Sequence, residues 1–393
     1  MRLTERPGDV TAALRTALEA VETALSKELD RRRSEVVAID PRLGADVDRL
    51  ISHLAAGGKR LRPQFLCAGW LATASTTPTD ANTGEQTSVP AAVVRAAAAL
   101  ELIQACALIH DDVIDRSDTR RGQPSVHRSV QKQHADRGWA GDAEHYGVST
   151  ALLIGDLALA WADDLFTEAL VGLGRNGTGA SGGSDEALAA WRAMRTEVLA
   201  GQLLDLRITA DESPDPERAA ADAMVVNRYK TAAYTVERPL HLGAALAGAE
   251  PGTVTALRNF GLAIGVAFQL RDDLLGVFGD PAVTGKPAGD DLLEGKKTVL
   301  LARARAALRS EPERRRELDS GLGTALLPAE VERLTRLIAD TGAPAAIEEW
   351  IAELFEQGVA ALDAQDGTGR PLVYPAAAQT LRSLAAAATI RVR

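Results

Sequence analysis

The chain has 393 residues, 46% hydrophobic but only 4% aromatic, with a formal net charge of -10 from 54 acidic against 44 basic residues. That balance argues against a general nucleic-acid surface, which needs Lys and Arg in excess on one face. The dominance of Ala, Leu and Val favours helices packed through small side chains over an aromatic-rich sandwich. No shift of composition or charge marks a boundary and no repeat recurs at a fixed period, so residues 1–393 are expected to form one all-α domain. Cys67 and Cys106 lie far apart in apolar stretches, as free thiols do in a reducing compartment. The start lacks an apolar signal core, and no window reaches the roughly 20 uninterrupted apolar residues of a membrane span. A cytoplasmic protein without a membrane span is expected.

In chain order, Val10, Leu14, Leu18, Val21 and Leu25 recur three or four residues apart and predict an amphipathic helix over 10–37. A second helix is expected over 41–55, stopped by Gly57-Gly58. Lys59-Arg60-Leu61-Arg62 then presents cations in a loop, and Pro63 opens the next helix. Long Ala-rich helices are expected over 90–115, 148–171, 185–207, 222–247 and 253–278, with no strand-like alternation competing. Loop insertions are read near 74–89, 136–147 and 172–185, the last Gly/Ser-rich. The middle one holds His134, Trp139, His145 and Tyr146, and a solvated loop is favoured there over a metal site.

Chemistry enters at the end of the 90–115 helix. Asp111 and Asp115, four residues apart, share a helix face about one turn or ~5.4 Å apart, with Asp112 beside them. Like charges at this spacing repel, so an apolar helix gains from them only if cations sit between them. Magnesium, which takes oxygen ligands and shares them with phosphates, meets that demand. An isolated Asp-Asp pair is more often a solvated helix end, but here Arg116, Arg120 and Arg121 follow directly and suit phosphate. In the 253–278 helix Gln269, Asp272, Asp273 and Gly276 again line one face. Facing helices of a bundle commonly hold metal between them. Lys59 with Arg62, Lys230 with Thr231, and Lys286 with Lys296 complete a cage for two diphosphates.

These motifs resemble those of the trans-prenyltransferases, the polyprenyl or geranylgeranyl diphosphate synthase family. GGKRLRP is similar to the family's first basic motif, HDDVIDRSDTRRG to its first Asp-rich motif and FQLRDDLLGVFGD to its second, in the expected order. IGDL, EVLAGQLLD and YKTA resemble further family motifs, and the resemblance covers most of the chain. It implies a homodimer with the isoprenoid synthase fold, a single large helical bundle around a central cavity. It also implies condensation of isopentenyl diphosphate with an allylic diphosphate.

By the same resemblance Asp111, Asp115 and Asp272 are the magnesium ligands, supported by Asp112 and Asp273. Arg120, Lys230, Thr231, Gln269, Lys286 and Lys296 contact the allylic diphosphate, and Lys59, Arg62, Gln104 and Arg121 contact isopentenyl diphosphate. Two departures stand out. Gly276 replaces a third Asp of many relatives, and the loop from Lys286 to Lys296 is one residue longer than in some, leaving Lys297 as a rival to Lys296.

Product length is expected to depend on Ile103, Cys106 and Ala107, one to two turns before Asp111. In the family this chain resembles, bulky aromatics just before the first Asp pair stop growth early, so the small residues at 106 and 107 imply geranylgeranyl diphosphate, with longer polyprenyl products as the alternative. A class I terpene cyclase is the neighbouring rival, disfavoured by the second Asp pair and the few aromatics. A noncatalytic partner subunit would have damaged Asp clusters. A His-Asp phosphohydrolase reading of His110-Asp111 lacks further ligands.

Overall fold

The computed structural model describes residues 8–55, 57–73, 89–175, 181–210, 216–280 and 289–389. Helix α1, Gly8–Ile39, buries Val10, Leu14, Ala17, Val21, Leu25 and Leu29 along one stripe, as the three-and-four spacing requires. The expected 41–55 helix is divided. Asp40 accepts from the Arg42 amide at 2.8 Å and Pro41 opens a 3₁₀ turn, Pro41–Leu43, before α2, Gly44–Ala55. Arg60, in a left-handed conformation (φ 48°), turns the chain into α3, Leu61–Leu71.

Helix α4, Ala91–Ile114, is apolar on nearly every side and packs against α1, α3 and the long α6, Ala143–Arg175. Between α4 and α6 lie a short ribbon, β1 (Thr119–Arg120) and β2 (Gln123–Pro124), and α5, Val126–Asp136. The sequence did not predict this ribbon. Its turn residues Arg121 and Gly122 both have positive φ, 54° and 74°, the pairing a tight two-residue hairpin turn demands.

The second and third insertions are shorter than expected. The 136–147 stretch is already helical from Ala143, and His134 is buried against Trp139 and Tyr146 with its Nε2 3.1 Å from the Ala140 carbonyl. Helix α6 extends through Gly172 and Gly174 to Arg175, and α7, Ser181–Ala210, begins inside the Gly/Ser-rich segment. Packing of Leu173 and Ala187 outweighs the roughly 1 kcal/mol that each helical glycine costs. Residues 74–88 and 176–180 lie outside the described residues.

Helix α8, Pro216–Val226, passes into a π-helical segment, Asn227–Glu237, and then α9, Arg238–Leu246. Helix α10, Pro251–Phe278, completes the cavity wall, followed by α11 (Asp290–Glu294), α12 (Val299–Ala307), α13 (Pro312–Gly321), α14 (Pro328–Asp340), α15 (Ala343–Ala361) and α16 (Pro375–Thr389). Helices α4 and α10 are long and apolar enough to cross a bilayer. However, 78% and 72% of their most apolar windows are buried within the fold, so they read as core helices.

The π segment replaces the middle of the continuous helix expected over 222–247, and it carries Lys230 and Thr231. It fits because glycines flank it. A Cβ on Gly201 of α7 would lie 2.6 Å from the Lys230 amide nitrogen, and one on Gly265 of α10 2.7 Å from the Ala232 Cα. Backbone approaches this close leave no room for a methyl group. Gly265→Ala is therefore expected to destabilise the protein by about 1–3 kcal/mol, read as a lowered denaturant midpoint. A variant as stable as the parent would show that the segment shifts freely.

Candidate active site

The α4, π-segment and α10 faces enclose a cavity of about 790 Å³, within the range of small-molecule sites. Its wall takes Gln104, Leu108 and Asp111 from α4, Lys59 from the 57–60 loop and Arg62 from the first turn of α3, Lys230 and Thr231 from the π segment, and Gln269, Asp272 and Asp273 from α10. Arg121 and Lys296 also line it. Residues scattered over more than 200 positions of sequence thus meet around one space.

Some expected residues sit elsewhere. Asp112 is fully buried behind the wall, where it accepts from Arg120 Nε at 2.8 Å, so this pair ties the hairpin to α4. Asp115 and Arg120 are partly buried but off the wall, and Lys286 lies outside the described residues. Ile103 and Cys106 are buried in helix packing and Ala107 is half-buried; none lines the cavity. Cys106 faces His110, whose Nε2 sits 3.1 Å from the Leu152 carbonyl of α6, which places this flank of α4 against α6. The wall beneath Asp111 is made instead by Leu108 and Gln104.

Acid crowding is visible in the electrostatics. Burial and then the nearby Asp111 charge push the Asp115 carboxyl above the ordinary range. Burial, reinforced by Asp291, pushes Asp273 up to about 8, although Gln269 Nε2 donates to it at 2.8 Å. The cations respond in kind. Burial opposes the charge on Lys230, but Asp111 and Asp205, 3.4 and 2.7 Å from its Nζ, outweigh it and hold the lysine above its usual value. Lys296 behaves likewise: burial is overcome by Asp291, 3.8 Å away, and by Glu294. Lys297 instead donates to the Ile208 carbonyl at 2.7 Å.

The wall residues outside the expected set include Asp205, Asn227 and Asp291. Asp205 stands four residues after Gly201 on α7, and the close approach of Gly201 to the Lys230 backbone brings it to the lysine. Asp291 depended on a tertiary approach. A Cβ on Gly276 would fall 2.1 Å from Asp291 Oδ2, so the space over the glycine is filled by a carboxylate from another element.

The donor set suits a hard divalent cation, being carboxylate oxygens with lysines between them. Among the described residues no three His, Cys, Asp or Glu side chains converge on a ready-made metal cage. Magnesium tolerates this, because it commonly takes one or two carboxylates and completes its shell with water and substrate phosphate.

The polyprenyl synthetase family model matches residues 45–339. The chain is 35% identical over 271 residues to a geranylgeranyl diphosphate synthase of Mycobacterium tuberculosis, covering 67% of each chain. It is 30% identical over 364 residues to a geranylfarnesyl diphosphate synthase of Natronomonas pharaonis, covering 90% of this chain and 92% of the relative. Its fold is similar to the crystal structure of the Corynebacterium glutamicum geranylgeranyl pyrophosphate synthase complexed with isoprenyl diphosphate and magnesium. That comparison has a TM-score of 0.81 and 44% identity, and covers 95% of this chain and 98% of that one. The chain belongs to the polyprenyl synthetase family. It is a prenyltransferase with the all-α isoprenoid synthase fold.

A smaller hollow of about 460 Å³ behind the hairpin is lined by Arg49, His53, Arg120 and Arg121 among others. Burial, then Arg121 and Arg120, pushes His53 down to about 4. The folded state therefore binds fewer protons than the unfolded one across this range, so the contribution is complete above about 6.5 and is lost as pH falls toward 4. His53→Gln is expected to flatten the fall in urea midpoint between those values; an unchanged slope would contradict the burial account.

Proposed function

We propose that this chain condenses isopentenyl diphosphate with allylic diphosphates in a magnesium-dependent prenyl transfer that ends at geranylgeranyl diphosphate. The observation carrying this reading is the opposition of Asp111 on α4 to Asp272 and Asp273 on α10 across a cavity whose wall also holds Lys59, Arg62, Lys230 and Lys296. The Corynebacterium relative, bound to isoprenyl diphosphate and magnesium, supports both ligand classes.

In this reading Asp111, Asp115 and Asp272 hold magnesium, with Asp112 and Asp273 behind them. Magnesium, when bound, supplies Lewis-acid stabilisation of the leaving diphosphate. Lys230, Thr231, Gln269 and Lys296 hold the allylic diphosphate and meet its developing charge with preorganised donors. Both lysines line the cavity; Lys296 is preferred over Lys297 because it already faces Asp291 and Glu294, while Lys297 donates to the Ile208 carbonyl. Lys59, Arg62, Gln104 and Arg121 orient isopentenyl diphosphate; Arg62 is fixed by Thr235 at 2.9 Å and by the Tyr234 ring 4.1 Å away. The alkene attacks the allylic cation, and the proton lost passes to the departed pyrophosphate. No histidine lines the cavity among the described residues.

Product length rests on the wall beneath Asp111, lined by Leu108 and Gln104, since Ile103, Cys106 and Ala107 lie off the cavity. The geranylfarnesyl relative favours a longer product as the second reading. A homodimer is proposed because α6 and α7 carry exposed leucines, Leu153 at 65% and Leu203 at 69%, which a second copy would cover. The buried free thiols Cys67 and Cys106 support a cytoplasmic setting.

Purified protein given magnesium, isopentenyl diphosphate and each allylic diphosphate in turn should elongate to C20. No elongation with any primer would refute the assignment. Asp111→Ala should lower the rate roughly 10²–10³-fold. Leu108→Ala should shift products beyond C20, and an unchanged distribution would place the floor elsewhere.

A further inference from the structure

Asn227 opens the π segment, is only 3% exposed and lines the cavity, yet neither its Oδ1 nor its Nδ2 has a hydrogen-bond partner. Exchanging the two ends of the amide changes nothing, because both atoms are orphaned. Buried polar groups without partners are rare and carry a desolvation penalty, so such a group on a cavity wall is one that a ligand satisfies.

Its position says which ligand. Along the π segment, Thr235 accepts from Arg62 at the isopentenyl diphosphate corner, and Lys230 reaches Asp111 and Asp205 at the acid face. Asn227 lies three residues before Lys230 and four before Thr231, about one turn further from Arg62 and on the same wall.

We infer that Asn227 is a substrate-binding residue for the allylic diphosphate, its Nδ2 donating to a non-bridging phosphate oxygen and its Oδ1 taking a water of the bound group. This rests on the prenyl-transfer reading of the site. The amide adds a donor without adding charge beside lysines already balanced by acids. An acid in its place would repel the diphosphate.

Asn227→Leu and Asn227→Asp separate this role from a structural one. In the ligand-free protein the leucine variant should melt no lower than the parent, because an unpaired amide has been removed. The rise in melting temperature produced by magnesium with inorganic pyrophosphate should shrink in both variants. The KM for the allylic diphosphate should rise roughly tenfold or more, further for Asp than for Leu, while that for isopentenyl diphosphate changes less than about twofold. Unchanged allylic KM and pyrophosphate response, or a rise confined to isopentenyl diphosphate, would overturn the inference. A parent protein that elongates no primer would instead refute the prenyl-transfer reading, and the pyrophosphate arm would still test the amide.

Discussion

Repulsion among carboxylates gathered round one cavity is the constraint that organises this structure. Asp111, Asp205, Asp272, Asp273 and Asp291 all reach the same wall, and Asp115 stands just beyond it. Lysines and protons of the protein offset that charge. Lys230 bridges Asp111 and Asp205, Lys296 sits against Asp291 and Glu294, and Asp273 is held protonated near neutrality.

The fold maintains that crowding. Buried on most sides, α4 and α10 cannot rotate their acids away. The π segment is pressed at backbone distance between Gly201 and Gly265, which fixes Lys230 opposite Asp111. The Asp112–Arg120 pair ties the hairpin to the end of α4, and Arg121 on the same turn donates to the Gly57 carbonyl in the Lys59 loop. A single charge network therefore links α4, the hairpin and the first basic loop.

Much of this was legible in the sequence because helical period is a local property. The stripe of α1, the face shared by Gln269, Asp272 and Asp273, and the cationic loop after Gly57-Gly58 follow from spacing alone. What spacing could not supply was rotation. Adjacent Asp111 and Asp112 face different environments, and the flank holding Cys106 turns to α6 while Leu108 and Gln104 take the cavity. The π segment shifts register by an amount composition does not announce, and Gly172 and Gly174 look like a loop until neighbouring packing is known. The carboxylate over Gly276 comes from Asp291 across a tertiary contact, which no pattern within either motif could show.

If a shared divalent cation joins the acid faces to the diphosphate, each should bind better in the presence of the other. Calorimetric titration with a non-hydrolysable allylic diphosphate analogue, with and without magnesium, tests it most directly. Tight binding is expected only when magnesium is present, with magnesium affinity rising in step when the analogue is bound, as linkage requires. Equal affinity for the analogue with and without magnesium would contradict it.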